Sequence, residues 1–368
     1  MSQGSKKKRR FTLQIGFLTV ACASLFACAS VGNNQTQPIH PTVAENAKSL
    51  RYIKTIDKIG LGSDDAIKQI IAGDEFYELT RPVAIDIRDD VMIIADAGYV
   101  STDRGTTVGE PNQAIAKAGI RVTSSGLGII FKYNLKTNRM HPLFGAGDKI
   151  KGEITDIYLA KDKSFYVTDV EGRRVLHFSP EGSLLTEYKH PPNIFRPIAV
   201  TVDETRNEVI IADETYSHLV SFDMKKAEPI YGMGGRGEGP GKFRIITDMI
   251  AIPDGFLVSD RIELRIQVLD REGQYVADFG RSELMFPTAL AVDRDGRVFV
   301  GEKSDNTIKV FKAGKLIEVI GRNGSAGGEF RYVSDMKVLG NQLYVVDSLN
   351  GRIQVFEFLP EKNVALAN

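Results

Sequence analysis

Three aspartates in similar short contexts are the residues of this chain best placed to do chemistry as a group. They are Asp156 in Thr-Asp-Ile, Asp248 in Thr-Asp-Met and Asp335 in Ser-Asp-Met. Carboxylates repeated in this way could form a three-fold ring, and such a ring is able to hold a hard cation such as Ca²⁺ through oxygen ligands. The pattern therefore makes these three residues candidate metal ligands.

An arginine recurs in step with the aspartates, at Arg174, Arg265 and Arg352. The intervening repeats carry alanine in place of aspartate, at Ala84, Ala199 and Ala289, and other residues in place of arginine, at Ile129, His218 and Thr307. A half-buried carboxylate needs a partner, and the fork of arginine suits that role. The matched alternation favours a structural Asp–Arg network, for example Asp156 with Arg174 and Asp169, over a metal ring. Both interpretations stay open at this point.

The other residue types offer little catalytic chemistry. The five histidines, His40, His141, His177, His190 and His218, show no metal-binding spacing. No Gly-x-Ser-x-Gly motif or spaced Ser/His/Asp set is present. We therefore predict no catalytic residue. His218, which stands where other repeats have arginine, is kept as a candidate binding residue.

These residues occupy fixed places in a repeat of the sequence. An acidic residue follows an apolar strand six times, with separations of 73, 44, 47, 42 and 45 residues, at Asp96, Asp169, Asp213, Asp260, Glu302 and Asp347. The stretch from Pro287 to Gly321 shows the internal pattern, four short β-rich runs broken by Asp-Gly, Asp-Asn and Ala-Gly turns. Repeats of about 45 residues with four strands each predict β-propeller blades.

The residue pattern of the repeat resembles that of the NHL family of six-bladed propellers. The matching pieces are Pro-x-Ala-Leu-Ala-Val-Asp, then Leu-Tyr-Val-Val-Asp-Ser-Leu-Asn-Gly-Arg-Ile-Gln-Val-Phe, then a Gly-rich exit, and residues 342–356 match the pattern most closely. The resemblance covers roughly residues 50–358. It implies a fold and a habit of binding other molecules, not a reaction.

The two ends of the repeat region are expected to meet. The last repeat supplies three strands and stops near Phe358, and residues 52–60 resemble the fourth strand of other blades. We therefore predict an all-β fold over residues 49–358. It is a six-bladed β-propeller of four-stranded antiparallel blades, closed by an N-terminal strand that removes the exposed sheet edges, with a C-terminal tail at 359–368.

The N-terminus predicts export. Five basic residues, 6–10, precede an apolar run, Phe11 to Phe26, which is typical of a secretory signal. Leu25-Phe26-Ala27-Cys28 resembles a bacterial lipobox, which implies a signal peptide at 1–27, lipidation of Cys28 and a flexible tether at 28–48. The alternative is an ordinary signal peptide with an incidental cysteine. Residue 29 is Ala rather than Asp, which in a Gram-negative bacterium implies the outer membrane.

The net charge of the mature chain argues against nucleic acid as a partner. Removing residues 1–27 takes five of 47 basic residues and none of 47 acidic ones, so the mature chain carries a net charge of −5. A mildly acidic exported protein has no electrostatic basis for binding nucleic acid. The mature chain would hold one cysteine, Cys28, so no intramolecular disulfide is expected.

The first repeat contains an insertion of about 28 residues, near 97–126, between its second and third strands. Strand direction places it on the same face as the tight turns and the Gly-rich connectors between blades. A long loop on a rigid scaffold is a common place for binding residues. Its candidates are Tyr99, Arg104, Asn112, Gln113 and Arg121. The alternative is a surface loop without a binding role.

These observations favour a non-enzymatic binding or scaffold lipoprotein of a bacterial envelope. The lipid would anchor it to the membrane, its partner would be an envelope protein or a polysaccharide, and no cofactor other than Ca²⁺ is considered. The alternative is a metal-dependent hydrolase or lyase with its site at the propeller channel mouth, since some six-bladed propellers are such enzymes.

Overall fold

The computed structural model describes residues 49–57, 78–98, 100–101, 107–108, 129–145 and 149–359. The chain divides into a unit of residues 1–42, outside these ranges, and a unit of residues 43–368, which contains all of them. Within the described ranges no helix combines the length and apolar character needed to cross a bilayer. The predicted signal peptide, Cys28 and the tether lie outside the described residues.

The described chain is all-β and forms six four-stranded antiparallel sheets, the blades of a propeller. Strand β1, Leu50–Ile56, belongs to blade six. Blade one contains β2 Pro82–Arg88, β3 Val91–Asp96, β6 Ile129–Asn134 and β7 Arg139–Gly145, with a short pair, β4 Val100–Ser101 and β5 Thr107–Val108, between β3 and β6. Blade two contains β8 Ile157–Leu159, β9 Phe165–Asp169, β10 Arg174–Phe178 and β11 Leu184–Tyr188.

Blades three to six repeat the plan. Blade three is β12 Pro197–Asp203, β13 Glu208–Asp213, β14 His218–Asp223 and β15 Pro229–Gly234. Blade four is β16 Ile246–Ile252, β17 Gly255–Asp260, β18 Arg265–Asp270 and β19 Tyr275–Phe279. Blade five is β20 Pro287–Val292, β21 Arg297–Glu302, β22 Thr307–Lys312 and β23 Lys315–Ile320. Blade six is β24 Val333–Leu339, β25 Gln342–Asp347, a 3₁₀ turn at Ser348–Asn350 and β26 Arg352–Phe358.

The N-terminal strand closes the ring, as predicted. Strand β1 pairs antiparallel with β26, with Leu50 opposite Phe358 and Ile56 opposite Ile353. It starts at Leu50 rather than at the predicted Tyr52. Because β1 takes the outermost place in blade six, the two ends of the repeat region share one sheet.

The core of the described chain is a set of six buried apolar clusters, one between each pair of successive blades. Each blade is apolar on both faces, so it is stable only between two neighbours. Strand β1 contributes to two of these clusters: Leu50 joins the one between blades five and six, and Ile56 the one between blades six and one.

The acidic residue that marks each repeat is buried and fixes the end of the blade. In blade three, Asp213 Oδ2 accepts hydrogen bonds from the N–H groups of Phe195 (2.7 Å) and Arg196 (2.6 Å), just before the first strand. The N–H of the next residue, Glu214, then donates to the carbonyl of Arg196 at 3.0 Å. We call this end of the propeller, where second strands end and third strands begin, the loop face.

Candidate ligand site at the channel mouth

The three aspartates singled out in the sequence bridge neighbouring blades through backbone N–H groups. Asp335 Oδ1 accepts a hydrogen bond from Met336 N at 2.7 Å, and its Oδ2 accepts one from Ile85 N of blade one at 2.8 Å. The other two make the same bridge to the following blade, Asp156 to Val200 N at 2.8 Å and Asp248 to Leu290 N at 2.7 Å. The aspartate that recurs in blades two, four and six therefore connects each of these blades to the next one.

A fourth carboxylate and one lysine also belong to this cluster, and neither was predicted from the sequence. Asp86 of blade one accepts a hydrogen bond from Leu159 N of blade two at 2.6 Å. Lys337 Nζ lies 3.7 Å from Asp335 Oδ1 and 3.9 Å from Asp156 Oδ1. The ammonium group thus places a positive charge beside these carboxylates. Among the described residues no group of three or more His, Cys, Asp or Glu side chains could hold a metal ion.

Burial dominates the titration of this cluster. Desolvation raises the pKa of Asp86, Asp156 and Asp248 above the ordinary aspartate value, and it raises the pKa of Asp335 to about 7, although Lys337 acts to lower all four. Burial also acts to lower the pKa of Lys337, but the surrounding carboxylates outweigh it and hold that pKa above its usual value. The surrounding carboxylates therefore favour the charged form of Lys337.

The expected pairing of these aspartates with the recurrent arginines needs correction. Arg174 Nε binds Asp169 Oδ2 at 2.8 Å, because the two residues face each other across β9 and β10. Arg352 binds Asp347 in the same way at 2.8 Å, whereas Arg265 binds Asp278 at 2.8 Å. The arginines begin third strands, two strands away from the innermost ones, so none of them contacts Asp156, Asp248 or Asp335.

These arginines instead hold the connectors that arrive from the preceding blade. Arg265 Nη2 donates to the carbonyls of Gly239 (2.8 Å) and Lys242 (3.0 Å) in one Gly-rich connector. Arg352 Nη2 donates to the carbonyls of Ala326 (2.8 Å) and Glu329 (2.9 Å) in the other. Both connectors lead into a strand, so they are blade connections and not phosphate loops.

The candidate binding residues from the sequence have different outcomes. His218 Nε2 donates to the carbonyl of Asn193 at 2.6 Å, and its ring centroid lies 5.6 Å from that of Tyr216. This hydrogen bond gives His218 a structural role on the loop face. The candidates in the insertion, Tyr99, Arg104, Asn112, Gln113 and Arg121, lie outside the described residues.

A cavity of about 360 Å³ opens on the loop face at the end of the central channel. All six blades contribute one residue each to its floor, Val83, Thr155, Ile198, Thr247, Thr288 and Ser334. In five blades the pairing register of the first strand shifts at this position, which indicates a β-bulge that aims the side chain at the channel. We call this space the channel mouth.

The hydroxyl groups of the floor are satisfied except for one. Thr247 Oγ1 donates to the carbonyl of Pro287 at 2.9 Å, and Thr288 Oγ1 donates to that of Val333 at 2.7 Å, in each case in the next blade. Thr155 Oγ1 makes the equivalent contact to Pro197 at 3.3 Å. The buried Oγ of Ser334 has no hydrogen-bond partner among the described residues. It is therefore an unused polar group in the floor.

The wall on the side of blades two and three is charged but neutralised. Arg196 binds Glu153 at 2.9 Å and Glu214 at 2.5 Å, so one guanidinium group lies between two carboxylates. Both glutamates and the arginine line the channel mouth.

The opposite wall carries cations that have no counter-ion within the described part of the chain. Arg81, Arg261 and Lys303 line the channel mouth, and none of them forms an ion pair with any described carboxylate. The Arg261 guanidinium lies 4.8 Å from the centroid of the Phe286 ring, and Lys303 Nζ lies 5.1 Å from it. Lys303 Nζ is also 5.0 Å from the Tyr332 ring. The mouth is therefore electrostatically asymmetric, with its uncompensated positive charge on blades four, five and one.

The channel-mouth residues were not predicted, although the repeat contains a signal for them. Lys303 and Arg261 directly follow an acidic marker, and Arg81 directly precedes the proline that starts a blade. An alignment of the six repeats on the marker would have placed these positions at the mouth. What it could not show is which of them lack a counter-ion.

Comparison with known proteins bears on the fold alone. No protein-family model matches the sequence, and no curated protein matches it. Among solved structures, the chain is similar to a structural genomics protein of unknown function from Bacteroides thetaiotaomicron, at 13% identity and a TM-score of 0.54, over 84% of this chain and 75% of that one. It is also similar to the computationally designed Ika8 protein, at 15% identity and a TM-score of 0.45, over 75% and 71% of the two chains. The chain is a six-bladed β-propeller. Membership in the NHL family stays a prediction.

Proposed function

We propose that this protein is a non-enzymatic binding protein that captures a protein or glycan partner on its loop face, with the channel mouth as the ligand site. The observation that carries the proposal is the open cavity of about 360 Å³, whose wall holds three cations that form no ion pair with any described carboxylate. Its volume lies within the range typical of ligand sites, roughly 300–1,000 Å³. A rigid ring of blades gives such a site fixed geometry without any moving part.

Exposed apolar side chains around the mouth support the same face. Five of them belong to loop-face segments, with exposed fractions of 40%, 39%, 45%, 67% and 48% for Phe195, Tyr216, Ile262, Met285 and Leu349. Concentrations of exposed apolar surface rimmed by polar groups are typical of interaction sites. A partner could thus combine apolar contact on the rim with a polar group in the mouth.

We further propose that the propeller is tethered to a bacterial membrane through a lipid on Cys28, and that it works in the cell envelope. The support is the lipobox-like sequence at residues 25–28 and the polar segment that follows it. A tether of this kind would leave the loop face free to engage a partner near the membrane.

The alternative of a metal-dependent hydrolase or lyase gains no supporting observation. Such an enzyme would need a cluster of metal-binding side chains at the mouth. The described mouth residues include only two carboxylates, Glu153 and Glu214, and both bind Arg196. We therefore retain binding as the proposed function.

Site-directed photo-crosslinking tests the proposed face. A photoreactive phenylalanine analogue would replace Met285 or Leu349 on the loop face. As matched controls, the same analogue would replace Leu185 or Val276, which lie on outermost strands and are 54% and 58% exposed. After irradiation of intact cells, we expect a crosslinked partner from the loop-face positions only. Equal products from both sets of positions, or products from the controls alone, would overturn the proposal.

A further inference from the structure

We propose that the channel mouth binds an oxyanion of the ligand, a carboxylate or phosphate group, between Arg81, Arg261 and Lys303. The inference deepens the proposed function, on which it rests for the identity of the site. It concerns the chemistry of the ligand rather than the identity of the partner.

The charges of the mouth favour an anion on one side only. Four cations and two carboxylates line the cavity, and Arg196 already lies between both carboxylates. Arg81, Arg261 and Lys303 therefore remain uncompensated among the described residues. A cavity wall with one sign of charge concentrates ions of the opposite sign. Glu153 and Glu214 would repel an anion from the other wall.

Aromatic rings position two of these cations without neutralising them. Phe286 lies within 4.8 Å of the Arg261 guanidinium and within 5.1 Å of Lys303 Nζ. A cation–π contact restrains the side chain but uses none of its N–H donors. Since both cations lie beside the same ring, they share one part of the wall, and their side-chain N–H groups make no hydrogen bond to any described residue.

Unused buried polar atoms point to the same place. Arg81 Nε and Ser334 Oγ are buried, and neither has a hydrogen-bond partner in the described part of the chain. Both residues line the channel mouth. Buried donors are almost always satisfied in proteins, so two unsatisfied ones in one cavity indicate a missing acceptor. An oxyanion offers several acceptor positions, and arginine binds such groups with its planar fork.

At the equivalent positions of other blades, the polar groups are already used in contacts within the protein. The equivalent hydroxyl groups of Thr247 and Thr288 are used in contacts between blades. Arg196, which precedes a proline as Arg81 does, is used in ion pairs. Among the described residues, the sector formed by blades four, five, six and one holds both the cations that form no ion pair and the hydroxyl group that makes no hydrogen bond.

Titration of the purified full-length chain with small probes tests the inference. The probes are inorganic phosphate, D-galacturonate and D-galactose, the last being a neutral counterpart of the second. We expect phosphate, galacturonate or both to bind, galactose not to bind, and binding to weaken as ionic strength rises. Arg81→Gln, Arg261→Gln and Lys303→Gln should each weaken binding roughly tenfold, since each removes a charge-assisted contact.

Matched controls make the result decisive. Arg294→Gln removes an exposed cation from a hairpin at the opposite end of the propeller and should leave binding unchanged. Binding of phosphate alone would indicate a phosphorylated ligand, and binding of galacturonate alone a carboxylate. The inference is overturned if neither anion binds, if galactose binds equally well, or if the three substitutions have no effect in folded variants. The titration uses the purified protein without a partner. Its failure would therefore overturn the oxyanion site alone, and the crosslinking experiment would still test the loop face.

Discussion

Lys337 Nζ lies 3.7 Å from Asp335 Oδ1, two residues away on the innermost strand of blade six. This pair is the centre of a buried cluster with Asp86, Asp156 and Asp248, in which one ammonium group faces four carboxylates. The carboxylates connect blades one to two, two to three, four to five and six to one through backbone N–H groups. The innermost strands are therefore joined by these polar contacts in addition to the apolar clusters between blades.

The first prediction concerns pH. Burial raises the pKa of Asp335 to about 7, against about 3.8 for an unburied aspartate. At a pH between these two values, Asp335 therefore takes up a proton when the chain folds. The unfolded state ionises first as pH rises, and the contribution of this group to stability is lost between about pH 4 and pH 7. We expect the melting temperature to fall from pH 5 to pH 7.5. Asp335→Asn should flatten this slope, while the exposed Asp295→Asn should not; equal slopes in all three proteins would contradict the assignment.

The second prediction concerns the lysine itself. Lys337→Met leaves four buried carboxylates without their cation, and removing one partner from a buried ion pair costs about 3–5 kcal/mol. We expect a loss of that size in the free energy of unfolding at pH 7.5, measured with urea. The loss should be smaller at pH 5, because the aspartates protonate. Lys225→Met, on an exposed hairpin, should change stability by less than about 0.5 kcal/mol. A variant of Lys337 as stable as the control would show that the cluster is not held by charge.

The third prediction concerns ring closure. Leu50 and Ile56 are 7% and 5% exposed on strand β1, and they enter two different clusters between blades. Each substitution by alanine should lower stability by about 2–5 kcal/mol. Ile53 lies on the same strand but is 40% exposed, so Ile53→Ala should have little effect. Three variants with equal melting temperatures would indicate that β1 does not close the ring in solution.

Much of the fold was predictable, because it follows from a repeated pattern of strands and turns. The acidic markers such as Asp213 and the closing strand both follow from comparison of one repeat with another. The partners of Asp156 were not predictable in this way. Its hydrogen bond to Val200 N depends on how one blade packs on the next, and no repeat-internal spacing encodes that contact. The same limit applies to Lys337, which occurs in one blade only.

The fourth prediction concerns the anchor. Cys28→Ser should release the protein from membranes or stall its processing, because acyl chains supply most of the membrane affinity of a lipoprotein. The measurement is the distribution of the protein between membrane and soluble fractions after cell lysis. Unchanged partition of the variant would contradict the lipoprotein assignment and favour an ordinary signal peptide with an incidental cysteine.

The central claim is that the partner binds at the channel mouth, and the yield of crosslinked partner tests it most directly. The photoreactive residue is placed at Leu349, and the yield is compared between the unsubstituted mouth and the triple variant Arg81→Gln, Arg261→Gln, Lys303→Gln. A second triple variant removes three exposed cations outside the loop face, Lys161→Gln, Lys225→Gln and Arg294→Gln. We predict that the mouth variant loses roughly tenfold or more of the crosslinked product at an unchanged melting temperature, while the control retains it. Equal yields from the two triple variants would contradict the account.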